Sequence, residues 1–159
     1  AHTCIVTNFL LYNFLMTRSD YSFSQQIRVR FGEVDYQGIV FNANYLTYFD
    51  VVLTEFLRAA GLIYAADPKD RDEFDWHVVK ATLELKSPAR ADDLLDACVK
   101  IRRFGRSSLT FDLAIFRPGE EAPCTLGEII WVYTNQTTHT SAEIPADLRE
   151  QLMAVGGGA

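Results

Sequence analysis

The sequence predicts an α+β domain, a five-stranded and mostly antiparallel sheet covered on one face by a single long helix. Three observations carry that reading. From Asn44 to Ala60 apolar residues recur at three- and four-residue steps, the pattern of a helix with a broad buried face. Five other stretches alternate apolar and polar residues with the period of two expected of a half-buried strand. Four of these five follow one another with no second long helix between them, which argues against alternating βα units and a parallel sheet.

Taken in order, Gln26 to Phe31 sets Ile27, Val29 and Phe31 on one side and Arg28 and Arg30 on the other. A loop runs from Gly32 to about Phe41. In the helix the buried stripe is Tyr45, Tyr48, Phe49, Val52, Leu53, Phe56, Leu57 and Ala60, with Asn42 or Asn44 as its cap. Gly61 stands where a helix stop favours positive φ. Pro68 to Asp75 is polar and charged, a surface loop. Trp76 to Lys86 puts His77, Val79, Ala81, Leu83 and Leu85 on one face, and Leu95 to Arg103 puts Leu95, Ala97, Val99 and Ile101 on one face. Leu109 to Phe116 and Leu126 to Thr134 repeat the pattern. Ser87-Pro88, Gly105 and Pro118-Gly119 supply the turns. Pro145 opens a short terminal helix that ends near Met153.

A chain of 159 residues is one domain's worth, and 48% hydrophobic with 23% charged residues excludes disorder and low complexity. The net charge of −6 is the wrong sign for a general nucleic-acid binder, so an anionic ligand requires a local basic patch. Cys4, Cys98 and Cys124 are too few and too scattered for a disulfide framework, and they read as buried thiols in a reducing, cytoplasmic setting. His2, His77 and His139 have no metal-ligand spacing, so no metal or other cofactor is expected. The apolar run Cys4 to Met16 is too short to span a bilayer and lacks the flanks of a secretory signal, so no stable membrane insertion is expected. Residues 1–24 are read as an N-terminal extension, its first fifteen residues suggesting a translation-start artefact ahead of Met16. The domain is placed at 25–154, and 155–159 as a flexible tail.

The chemistry is concentrated in the loop between the first strand and the helix. Asp35 lies close in sequence to the helix start, where free N–H groups carry about half a positive charge and can bind a carboxylate or a polarised carbonyl oxygen. Gly38 permits the tight turn between them. On the residues alone Asp35 is either a cap of the helix or turn, or a functional acid.

The run Asp35-x-x-Gly38-x-Val40-x-x-x-x-Tyr45, followed by the apolar helix, resembles the signature of hot-dog-fold acyl-CoA thioesterases. The resemblance is to the 4-hydroxybenzoyl-CoA thioesterase-like branch, which includes the Tol–Pal-associated enzymes. It continues through Ser87-Pro88-Ala89-Arg90-Ala91-Asp92-Asp93-Leu94, the Arg103-to-Ser108 turn and the strand through Trp131, from about Gln25 to Thr138 in all. It implies a five-stranded antiparallel sheet wrapped around the helix, and hydrolysis of a short-chain or aromatic acyl-CoA at a cleft between the subunits of a homodimer or homotetramer. It also implies that Asp35 attacks the thioester or activates water, and that the Asn42 backbone N–H polarises the carbonyl. Gly38, Val40, Phe41 and Tyr45 are then expected to bind substrate, and Arg90, Arg102, Arg103 and Arg106 to meet the nucleotide phosphates. Asn42 replaces a His frequent in the Tol–Pal type and Phe31 replaces a Tyr, which opens the acyl specificity to question. Glu33 is the nearby acid expected to be solvated, and Glu55 in the helix is the alternative catalytic acid. The rival functions are an acyl carrier protein thioesterase and a non-catalytic acyl-CoA-binding domain.

Overall fold

The two periodicities resolve into β1 (Phe23–Arg28), α1 (Asn44–Ala59), β2 (Phe74–Leu85), β3 (Leu94–Phe104), β4 (Ser108–Phe116), β5 (Thr125–Asn135) and α2 (Ala146–Gly156). The computed structural model describes residues 16–62 and 73–156. The expectations for residues 1–15, including Cys4, and for most of the 68–75 loop lie outside the described residues.

Every strand pairing is antiparallel, and the sheet order is β1-β3-β4-β5-β2, which leaves β1 and β2 as edges. The expected α+β architecture is therefore present, with α1 against one face. Its Tyr45, Tyr48, Phe49, Val52, Leu53, Phe56 and Leu57 are all buried. The ring of Phe56 sits edge-on to Phe23 at 6.0 Å and to Phe111 at 5.9 Å. α1 carries the β-branched residues Thr47, Val51, Val52 and Thr54, each costing helix propensity of up to about 0.7 kcal/mol. Burial of one Leu or Phe side chain returns about 1.5–3 kcal/mol, so packing outweighs propensity here. Gly61 follows the helix at φ +78°, as expected of a helix stop.

The opposite sheet face is covered differently. Met16 and Tyr21 pack on Cys98, Ala114, Phe116 and Leu126, a smaller apolar cluster. Beside it, Arg102 pairs with Asp112 at 3.1 Å and with Glu128, which Lys80 also reaches at 2.8 Å. Cys98 and Cys124 are buried free thiols, and desolvation pushes the Cys98 pKa up to about 12.

Several expectations are corrected. β1 spans Phe23–Arg28 and not Gln26 to Phe31. The chain leaves the ladder because the Glu33 carboxylate accepts the Arg30 N–H at 2.8 Å, closing a 3₁₀ turn over Phe31–Glu33. Phe31 is consequently 87% exposed instead of facing the core. The cap of α1 is Ala43, and neither Asn42 nor Asn44 caps it with a side chain. Asn44 instead donates its amide to the Glu33 carbonyl at 2.8 Å. The single face expected of β2 is broken by a register shift between Val78 and Lys80, so Trp76 and Leu83 pack on the core while Val78 and Val79 stand exposed. At the carboxyl end α2 runs on to Gly156, which is buried where a Cβ would meet Ile101, so the tail does not begin at 155. At the amino end Met16 and Tyr21 are buried in a cluster on the sheet, so residues ahead of 25 belong to the packed domain.

Candidate active site

The loop after β1 folds back on itself. Val34 and Val40 form an antiparallel bridge, Asp35 N–H donates to the Ile39 carbonyl at 2.8 Å, and Gly38 N–H donates to the Asp35 carbonyl at 2.9 Å. Gly38 takes φ +74°, the left-handed position that closes such a three-residue hairpin. A Cβ there would touch nothing within 4 Å, so the requirement is conformational and not one of space. Inside the turn, Oδ1 of Asp35 accepts the Gln37 N–H at 2.8 Å. Asp35 is thus held by its own hairpin and does not cap α1.

Returning from the hairpin, Phe41 N–H donates to the Glu33 carbonyl at 2.9 Å, which brings the start of α1 up against Asp35. The opposite side is the Lys86–Arg90 segment. Cys124 accepts the Lys86 and Ser87 amides at 2.9 and 3.1 Å, and Arg117 donates to Ser87 Oγ at 3.2 Å and to the Pro88 carbonyl at 2.5 Å. Val40 N–H donates to the Ala89 carbonyl at 2.8 Å, and the hydroxyl of Tyr45 accepts the Ala89 N–H at 3.0 Å.

Between these walls lies a cavity of about 370 Å³, lined by Asp35, Gln37, Ile39, Val40, Phe41, Asn42 and Tyr45 on one side and Leu85, Lys86, Ser87 and Pro88 on the other. A carboxylate, the first residues of a helix and an apolar wall converge on one space. Such a site can hold an apolar acyl group, direct backbone N–H groups at its carbonyl oxygen and present a base.

Asp35, Val40, Phe41, Asn42 and Tyr45 are thus brought together as expected, and Gly38 shapes the turn between them. Arg90 stands beside the cavity, its backbone bridged to Ile39. Arg102, Arg103 and Arg106 are not there. Leu94, at the near end of β3, pairs with Arg28, whereas Arg103 lies at the far end, roughly 30 Å away by strand rise. Arg102 is engaged with Asp112 and Glu128 on the other sheet face, which removes it as a phosphate contact. Arg103, near the end of β3, and Arg106, in the β3–β4 turn, are both exposed.

Glu33 is not the solvated wall expected. Its side chain is 17% exposed, and Oε2 accepts the Tyr48 hydroxyl at 2.7 Å as well as the Arg30 amide. Burial, then the bond to Glu33, raise the Tyr48 pKa. The pair borders a larger cavity of about 550 Å³ along β1, which contains neither Asp35 nor the start of α1. Size alone therefore does not locate the chemistry. Glu55 pairs with Arg58 at 3.2 Å on α1 and does not line the Asp35 cavity. The contribution of Arg117 has no local sequence signal, because it depends on the ends of β4 and β2 meeting, and Ser87-Pro88 reads in sequence as a turn but not as a cavity wall. Among the described residues no group of three or more His, Cys, Asp or Glu is placed to hold a metal ion.

Comparison with known proteins identifies the family. The family model described as the Thioesterase-like superfamily matches residues 29–152, from the end of β1 into α2. The chain belongs to this superfamily. Among curated relatives of this superfamily member, a "Putative esterase" of Aquifex aeolicus is 35% identical over 91 residues, covering 57% of this chain and 69% of the relative. The "Acyl-CoA thioester hydrolase YbgC" of Escherichia coli is 33% identical over 89 residues, covering 56% and 65% respectively. The match thus spans about two thirds of each relative's length. The PA5185 protein of Pseudomonas aeruginosa superposes with a TM-score of 0.77 at 26% identity, over 87% of this chain and 94% of that one. With this superfamily's hot-dog architecture, the order strand, helix, four strands is accounted for.

Proposed function

We propose that this thioesterase-superfamily member hydrolyses acyl-CoA: R–CO–S–CoA plus water gives R–COOH and CoA-SH, with a short-chain or aromatic acyl group. The observation that carries the reading is that Asp35 shares one cavity with the amino end of α1 while being held by its own turn. In the proposed reaction the thioester carbonyl oxygen faces the backbone N–H groups of Asn42 and Ala43, which among the described residues find no backbone acceptor. The partial positive charge of the helix end stabilises the oxyanion as it forms. Asp35 attacks the carbonyl carbon or takes the proton of the attacking water. The C–S bond then breaks and the thiolate leaves as CoA-SH after protonation; where Asp35 is the nucleophile, water next hydrolyses the acyl–Asp35 anhydride, releasing R–COOH and restoring the carboxylate. The YbgC relative, named as an acyl-CoA thioester hydrolase, supports coenzyme A as the carrier.

A second copy completes the proposed site. β2 is an edge strand with Val78 and Val79 exposed, a surface that natural sheets seldom leave bare. Antiparallel pairing of β2 with its counterpart brings the Leu85 end of one chain near the Phe74 end of the other. Phe74 pairs with Asn135, and Ser108 with Val132, so the β3–β4 turn lies at that same far end. Arg103 and Arg106 of a second copy then approach the Asp35 cavity, where the nucleotide phosphates need cations. The reading is a homodimer or homotetramer acting in the cytoplasm.

The decisive experiment is Asp35→Asn in a thiol-release assay. kcat falls by roughly 10²–10⁴-fold, the scale of a lost general base, while the thermal midpoint and acyl-CoA binding persist. A fully active Asp35→Asn protein would sink the assignment. Tight acyl-CoA binding by the unaltered protein with no thiol release favours the binding-domain reading, and turnover restricted to acyl carrier protein thioesters favours that carrier.

A further inference from the structure

The Asp35 cavity has an inner end, and one contact makes it. On the helix side the lining extends along α1 as far as Tyr45, and on the strand side back along β2 as far as Leu85. One helical turn beyond Tyr45, about 6 Å along the same face of α1, is Phe49, which is 0% exposed. Two residues before Leu85, about 7 Å along the same face of β2, is Leu83, whose partner in β5 is Gly127. These two positions meet. A Cβ added to Gly127 would stand 2.9 Å from Cζ of Phe49 and closer still to Cε2. Gly127 therefore lets the Phe49 ring lie against the sheet backbone, and its β2 partner Leu83 packs on the same core. The space between helix and sheet is closed there by aromatic carbon.

We infer that Phe49, seated on Gly127, is the stop of the acyl pocket and restricts the substrate to acyl groups reaching no more than about one helical turn, 5.4 Å, past Tyr45. The inference rests on the acyl-CoA thioesterase reading and adds to it the residue pair that sets the limit on acyl length. A longer chain must displace a fully buried ring seated against the Gly127 backbone.

The test is kcat/KM across straight-chain acyl-CoAs from acetyl to palmitoyl, for the unaltered protein, Phe49→Leu, Phe49→Ala and Gly127→Ala. The unaltered protein is expected to lose efficiency steeply beyond short chains. Phe49→Leu, and Phe49→Ala more so, raise the ratio of long-chain to short-chain kcat/KM by about 10-fold or more, the worth of a methylene in an apolar pocket, mainly through KM. Gly127→Ala pushes the ring toward the cavity and lowers the same ratio. Phe49→Leu keeps most of the buried volume, so the comparison survives if Phe49→Ala does not fold. Efficient palmitoyl turnover by the unaltered protein, or a folded Phe49→Leu with an unchanged ratio, overturns the stop and leaves the thioesterase reading intact. No thiol release from any acyl-CoA overturns both.

Discussion

The hydroxyl of Tyr45 accepts the amide hydrogen of Ala89 at 3.0 Å, joining the first turn of α1 to the wall that faces Asp35. Both residues are buried, at 2% and 0% exposure, so neither group has water as a substitute partner. Tyr45→Phe leaves the Ala89 amide unsatisfied and is expected to cost about 1–3 kcal/mol of stability, read from urea denaturation midpoints. Because the same bond sets the cavity width, KM for acyl-CoA rises as well. A variant with unchanged stability and KM would show that the bond sets neither.

Tyr48 and Glu33 form a second latch, behind the hairpin. The 2.7 Å bond is to a carboxylate that is mostly withdrawn from water. Tyr48→Phe should lower stability by about 1.5–3 kcal/mol, the range for hydrogen bonds to charged groups. Glu33→Gln should cost less, since its side-chain oxygen still accepts the tyrosine hydroxyl. Equal losses in the two variants would contradict this account.

Asp112 links pH to stability. It is 2% exposed, and Nη1 of Arg102 lies 3.1 Å from its Oδ1 without the alignment of a hydrogen bond. Burial raises its pKa above the ordinary 3.8, against the pull of Arg102 and Lys100. The folded state then holds the proton more tightly than the unfolded chain does. Its contribution to stability is largest at low pH, declines as pH rises from 3.8 through the raised native value, and is level above it. Asp112→Asn has no proton to lose and lacks that decline. Denaturation midpoints across the acidic range give the comparison, and parallel curves for the two proteins would rule the linkage out.

The β3–β4 turn offers a charge test of the proposed assembly. Arg106 pairs with Glu143 only at 3.7 Å and with 77% of its side chain exposed, so its removal costs the fold little. Reversing Arg103 or Arg106 to Glu should raise KM for acyl-CoA more than it lowers kcat, because phosphate contacts persist from ground state to transition state. Acyl-pantetheine, which lacks the nucleotide, should be indifferent. Identical KM values for all forms would remove the turn from the binding site.

The elements themselves were legible in the chain because their signals are local. The apolar stripe from Tyr45 to Leu57 and the alternation in β3 to β5 each report a face that must be buried, whatever it is buried against. The hairpin at Asp35 was legible too, since only a residue free to take φ +74° closes it, and Gly38 stands there. Local signals misled where the chain's ends and edges are decided by partners distant in sequence. Phe31 fits the alternation of β1, yet the Glu33 carboxylate draws the backbone into a turn and leaves the ring in solvent. Arg102 looked like one of three phosphate ligands in a turn, but strand pairing puts it over Asp112 and Glu128, contributed by β4 and β5. The clamp of Arg117 on Ser87 and Pro88 and the meeting of Phe49 with Gly127 have no trace in any short window. They exist because a helix and a sheet close on each other, and residues 30 to 78 positions apart become neighbours only when burial of both apolar faces makes that closure favourable.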